Sequence, residues 1–167
     1  MRVLPVRQLP DPILKRPTRP VARVDAAVLK LVEDMVATMR AHPRCVGLAA
    51  PQVGSGLRVA VMEAGRNPKA GASSGLLVLI DPVLEAGPEQ AVQREGCLSV
   101  PDFTGNVRRA TRVRVTAWDL DGQRQELWLE GFEAIVAQHE VDHLDGRLFL
   151  DRVTNASTDV FRRKQYG

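Results

Sequence analysis

Residues 111 to 146 read TRVRVTAWDLDGQRQELWLEGFEAIVAQHEVDHLDG, and two backbone periods meet inside them. TRVRVTAW (111–118) alternates apolar and polar side chains every second residue, DLDG supplies a turn, and QELWLEG (125–131) returns as a second strand. This predicts a hairpin with one wet face. From Phe132 the period lengthens: Phe132, Ile135, Val136, His139, His143 and Leu144 share a helical stripe, and Gly146 is placed to close the helix.

Working outward, LRVAVMEA (57–64) and LLVLID (76–81) have the composition of strands, joined by GRNPKAGASSG (65–75), which is expected to be a mobile loop. Asp25 is a plausible N-cap for a helix in which Val28, Leu29, Leu31, Val32, Met35, Val36 and Met39 recur at helical spacing, with Pro43 just beyond its end. Pro5, Pro10, Pro12, Pro17 and Pro20 exclude helix from the first twenty residues and leave extended chain lying on the body of the domain. Strands, a helix, more strands and a late helix predict an α+β fold with a largely antiparallel sheet.

A chain of 167 residues is expected to form a single domain, 1–167, that buries a core without disulfides. Apolar residues at 44% and charged residues at 26% are globular proportions, with no apolar run of the roughly 18 residues that would span a membrane. The start, MRVLPVRQLPDP, lacks a signal-peptide core, and two cysteines fit a reducing compartment, so a soluble, cytoplasmic protein is expected. The net charge of +3 is spread along the chain. Its densest groups, Arg108, Arg109, Arg112 and Arg114 and then Arg162, Arg163 and Lys164, read as solvated faces, and few aromatics are available for base stacking, so no nucleic-acid domain is expected.

The nonapeptide QHEVDHLDG (138–146) holds two of the three histidines. Residues four apart on a helix lie roughly 40° apart around the axis and about 6 Å apart along it, so His139 and His143 can direct both imidazoles at one ion. Glu140, about 100° round, is too far to be an equal ligand but within reach of a water held there. The trio therefore offers two neutral nitrogen ligands and a general base. The competing reading, a charged solvated helix face, is weakened because the histidines share the core-facing stripe with Ile135 and Val136, where unpaired imidazoles are costly.

A third ligand is needed. The pattern HExxHxxGxxH would require histidine at 149, which is Phe149, and a downstream glutamate is excluded because none follows Glu140. His42, Asp145, Asp151 and Cys97, in EGCLSVP (95–101), all stay open, with the thiolate the most metal-seeking. Cys97 has other readings, as a small core residue, a disulfide partner of Cys45 or a nucleophile acting with histidine, but metal ligation is the better one. Its place after Gly96 suggests an edge strand or bend near a ligand. GLAAPQVG (47–54) carries a single amide, Gln52, able to donate to a developing oxyanion, although a packed connection explains the same residues.

Taken in order and at these spacings, GLAAPQVG, EGCLSVP and QHEVDHLDG resemble the three signature motifs of the peptide deformylases. The likeness runs from LPDPILKRPTRPV through TRVRVTAWDLDGQ to GRLFLDRV. It implies antiparallel sheets around a central helix carrying the HExxH motif, and removal of the N-formyl group from the initiator methionine of new polypeptides, releasing formate. It maps metal ligands onto Cys97, His139 and His143, the base onto Glu140, and oxyanion donors onto the Gln52 side chain and the Leu98 backbone N–H. Val46, Gly47 and Leu48 would frame the methionine pocket; Phe132, Ile135 and Val136 join them by position on the helix. The resemblance favours one Fe(II) ion, with Zn(II), Ni(II) or Co(II) as substitutes.

Three features depart from the family pattern. Cys45 stands where glycine is usual, two places before Gly47, and Thr104 stands where many members carry arginine. The last residues read FRRKQYG and do not predict the long final helix that some members use to dock on ribosomes, so transient ribosome contact is left as an unsupported expectation.

Overall fold

The structure, a computed structural model, describes residues 1–163, so Lys164 of the terminal basic group and the final QYG lie outside the described residues. Asp25 caps the first long helix as its position predicts: its Oδ1 accepts from Val28 N–H at 3.0 Å, and α1 runs Ala26–Ala41. Short β1 (Gly47–Ala49), β2 (Val59–Met62) and β3 (Leu77–Ala86) follow, each antiparallel to the next. β3 continues five residues beyond the expected strand by absorbing Pro82 at a register shift between Ile80 and Val83. An irregularity is where a strand tolerates proline, which has no N–H for the ladder.

β4 (Gln90–Cys97) and β5 (Val100–Ala110) form a hairpin that local pattern does not announce. Most β4 side chains are solvent-facing, and the burial of Arg109 in β5 comes from ion pairs, so neither strand shows a clean apolar alternation. β6 (Arg112–Trp118) and β7 (Arg124–Glu130) make the hairpin read from residues 111–131. Then come α2 (Gly131–Leu144), a single turn α3 (Ala156–Asp159) and β8 (Val160–Arg162). The strands form two sheets, ordered β1-β2-β3-β6-β7 and β4-β5-β8.

Both helices are seated by the two-residue period of β2. Ala60 and Met62 face the cluster that includes Ala134, Val136 and Ala137 of α2, while Val59 and Val61 face Val28, Val32, Met35 and Met39 of α1. The five-stranded sheet is thus covered on both faces. α2 also touches β5 of the other sheet, and ten of its fourteen residues are buried, Glu133, Glu140 and Asp142 among them. This exceeds the single core-facing stripe expected: a helix held between two sheets has little outer face to leave wet.

The proline-rich start is extended apart from a 3-10 turn at Pro12–Lys15, and backbone bonds lash it to the body: Arg7 N–H to Gln52 O (2.7 Å), Leu9 N–H to Ser99 O (2.9 Å) and Thr18 N–H to Leu144 O (2.9 Å). Gly146 closes α2 at φ 79°, where an added Cβ would lie 2.8 Å from the Lys15 carbonyl oxygen. Residues 65–75 carry local turns and a tether to α2. They wind through 3-10 turns at Ala64–Arg66 and Pro68–Ala70, and Ser74 donates from both N–H and Oγ to the buried Glu133 carboxylate, each at 2.8 Å. Among the described residues no helix is long and apolar enough to cross a membrane.

Candidate metal centre

β4 ends on Cys97, Leu98 and Ser99 turn the chain, and Val100 pairs back against Cys97. This tight return brings Sγ of Cys97 to 3.3 Å from Nε2 of His143 on α2. His139 sits one turn earlier, its ring centroid 5.0 Å from that of His143. One ligand atom from each of the three residues falls within 4.8 Å of the other two. Ligands of a tetrahedral ion with bonds of about 2.1–2.3 Å stand about 3.6 Å apart, so modest adjustment closes this set on one metal. A sulfur with two imidazole nitrogens suits Fe(II), Zn(II) or a neighbouring divalent ion.

The outer side of His139 is committed. Its Nδ1 bonds Oε1 of Glu95 at 2.8 Å, which leaves Nε2 for an ion. Glu95 in turn accepts two bonds from Arg109, from Nε to Oε2 at 2.7 Å and from Nη2 to Oε1 at 2.9 Å. Arg109 gives its remaining Nη1 to Asp142 at 2.6 Å, and Asp142 also accepts from Arg152 at 2.8 and 3.1 Å. Two carboxylates and two guanidiniums balance to zero, as a buried network must. Burial raises the Glu95 pKa, but the bonds from Arg109 and His139 outweigh it and hold the carboxyl at about 2. Burial likewise opposes the charged forms of Cys97 and His139, yet the thiol is held well below its ordinary range by His143 and His139, and His139 is held up by Cys97 and Glu95. Phe149 stacks on His139 at 6.3 Å between centroids and shields that side.

Glu140 is buried, its Oε1 is enclosed with no hydrogen-bond partner among the described residues, and burial raises its pKa. Its carboxylate lies against β1 only because residue 47 is glycine: a Cβ there would be 2.5 Å from Oε2. Gln52 is fixed from both ends, Oε1 accepting from Ala49 N–H at 3.0 Å and Nε2 donating to Ser99 Oγ at 3.1 Å and toward Cys97 Sγ at 3.5 Å. Ser99 Oγ donates to Arg7 O at 2.6 Å, so it accepts from Gln52, and the amide must present its NH2 to the centre.

A cleft of about 310 Å³ opens beside this group, lined by Gln52, Cys97, Leu98, His139 and Glu140. Val46, Gly47, Phe132, Ile135 and Val136 also line it. Leu48 does not: it is fully buried in the cluster under α1, because neighbours on a strand point to opposite faces and Gly47 faces the cleft. Cys45 lines the cleft as a free thiol, donating to Gly47 O at 3.1 Å, and burial pushes its pKa up to about 12. The other ligands left open are elsewhere: His42 caps α1 on Thr38 O at 2.8 Å, Asp145 pairs with Arg58 at 2.7 Å, and Asp151 pairs with Lys15.

Glu95, Arg109 and Asp142 were not legible as site residues. Arg109, counted with a solvated basic group, is only 4% exposed, because three carboxylate bonds replace its water. The one available signal was Glu95, two places before Cys97 and so on the same face of a strand.

Two antiparallel sheets enclosing a helix that offers His-Glu-x-x-His, completed by a strand cysteine and a cleft, define a metal-dependent hydrolase. Residues 3–159 match the polypeptide deformylase family. The peptide deformylase of Syntrophobacter fumaroxidans is 40% identical over 164 residues, spanning 98% of this chain and 94% of that one. The crystal structure of peptide deformylase from Thermotoga maritima superimposes with a TM-score of 0.84 at 38% identity, covering 93% of this chain and 100% of the other. A class I type b peptide deformylase from Acinetobacter baumannii, crystallised with Met-Ala-Ser bound, gives 0.85 at 38% identity, covering 91% and 100%. The chain belongs to the peptide deformylase family.

Proposed function

We propose that residues 1–167 form a single catalytic domain that removes the formyl group from N-terminal formylmethionine of newly made polypeptides in the cytoplasm, with Fe(II) as the native ion and Zn(II), Ni(II) or Co(II) as substitutes. The observation that carries this reading is the convergence of Cys97, His139 and His143 beside Glu140, whose Oε1 has no hydrogen-bond partner among the described residues. When bound, a divalent ion supplies Lewis acidity and lowers the pKa of water. Oε1 of Glu140 takes a proton from the attacking water and returns it to the departing amine nitrogen. Nε2 of Gln52 and the backbone N–H of Leu98 donate to the oxyanion that forms on the formyl carbon. Val46, Gly47, Phe132, Ile135 and Val136 hold the methionine side chain, and Gly47 keeps the Glu140 carboxylate in place.

The test is formate release from formyl-Met-Ala-Ser by protein purified anaerobically and loaded with Fe(II), with metal content measured in parallel. Glu140→Ala is expected to keep the metal and lose about 100- to 10,000-fold in turnover. Normal activity in that variant overturns the assignment of the base.

A further inference from the structure

Besides its apolar residues, the cleft is lined by four cations, Arg44, Lys69, Arg94 and Arg163. The only carboxylates lining it among the described residues are Glu140 and Glu95, and Glu95 is taken up by Arg109 and His139. Arg94 is also satisfied: its Nε donates to Asn106 at 3.0 Å and its guanidinium lies 3.6 Å over the Phe161 ring.

Arg163 differs. Its backbone is anchored, N–H donating to Asp102 O at 2.7 Å next to the Phe103–Arg162 pairing of β5 with β8. Its side chain reaches back over Thr104 to the backbone of Gly96, where an added Cβ would lie 2.6 Å from Nη2 and 3.4 Å from Cζ. Yet Nε and Nη2 are shielded from solvent with no hydrogen-bond partner among the described residues. Enclosing donors of a charged group without acceptors is costly, and a fold that keeps such a group at a cleft wall is matched to an acceptor that arrives with a ligand.

We propose that Arg163 is a substrate-positioning residue whose guanidinium, held beside Gly96, donates to an oxygen of the peptide downstream of its formylated first residue. This rests on the deformylase reading above and extends it to the chain beyond the methionine. The acceptor chemistry, a planar oxygen that a guanidinium fork can grip, has two sources: a main-chain carbonyl or a carboxylate.

The experiment compares metal-loaded wild type, Arg163→Gln and Arg163→Lys on formyl-Met-Ala-Ser as free acid, the same peptide as C-terminal amide, and the truncated formyl-Met amide. A charge-assisted bond predicts a rise in KM of about 10-fold for the tripeptides in Arg163→Gln, with kcat, metal content and KM for formyl-Met amide unchanged. Arg163→Lys is expected to recover part of the loss. An equal rise for acid and amide assigns the contact to a main-chain carbonyl, and a rise confined to the acid assigns it to a carboxylate; both support the proposal. A fall in kcat or metal content, or an equal loss on formyl-Met amide, makes Arg163 a prop for Gly96 and Cys97 and overturns it. Unchanged kinetics in both variants overturn it too. Dissociation constants for Met-Ala-Ser on the metal-loaded proteins give a reading independent of turnover: weaker binding to Arg163→Gln supports the contact even if wild type released no formate, an outcome that would sink the deformylase reading alone.

Discussion

Replacing Glu95 by glutamine probes the buried network without changing its shape. The carboxylate accepts three bonds, two from Arg109 at 2.7 and 2.9 Å and one from His139 at 2.8 Å. An amide turns one oxygen into a donor and sets it against N–H groups that also donate, leaving Arg109 neutralised by Asp142 alone. The cost follows from the ionisation of Glu95, which is held at about 2 against an ordinary 4.5. At about 1.4 kcal/mol per unit this amounts to roughly 3 kcal/mol of stability. Because the folded-state pKa is depressed, that contribution is complete above about pH 4.5 and is lost as pH falls toward 2. Urea unfolding of the metal-free proteins is therefore expected to show Glu95→Gln less stable by about 3 kcal/mol at pH 7, with the gap narrowing as pH is lowered below 4.5. Losing the orienting bond to His139 should also weaken metal binding about 10- to 100-fold in chelator competition. If the two proteins unfold together at every pH and bind metal equally well, the network does not support the centre and this reasoning fails.

Gly47→Ala places a methyl group 2.5 Å from Glu140 Oε2, so kcat should fall about 100-fold or more while metal content, measured by plasma emission, stays at wild-type level. Cys97→Ser exchanges a thiolate for a poor ligand and should lower metal occupancy after dialysis; stripping the wild type should abolish formate release, and added Fe(II) should restore it. Gly146→Ala meets both φ 79° and the Lys15 carbonyl at 2.8 Å, so calorimetry should show a loss of at least about 1–2 kcal/mol, or roughly 2–8 °C in melting temperature.

Local periodicity made the site helix, the 111–131 hairpin and α1 legible, since a side chain's direction relative to its neighbours depends only on backbone period. That His139, His143 and Glu140 share one helix, with the histidines one turn apart, was legible on the same grounds. The β4–β5 hairpin, which delivers Cys97, could not: its residues are held by pairing across the chain and by Arg109, whose polar side chain disguises a buried position. Leu48 shows the same limit in reverse, for a motif residue turned out to belong to the α1 core once the pleat direction of β1 was known. The motifs, read as a resemblance, already brought Cys97 to the two histidines, but its geometry needed the fold.

What sequence by itself determined is therefore the chemistry on offer: two imidazoles and a carboxylate on one helix, and a cysteine after a glycine. Tertiary structure alone decided how the thiol is seated 3.3 Å from His143, that Glu95 and Arg109 stand behind His139, and that Arg163 comes to rest against Gly96. The reason is physical. Backbone period correlates residues only within a few turns, whereas these contacts join segments brought together by sheet pairing and by burial around α2.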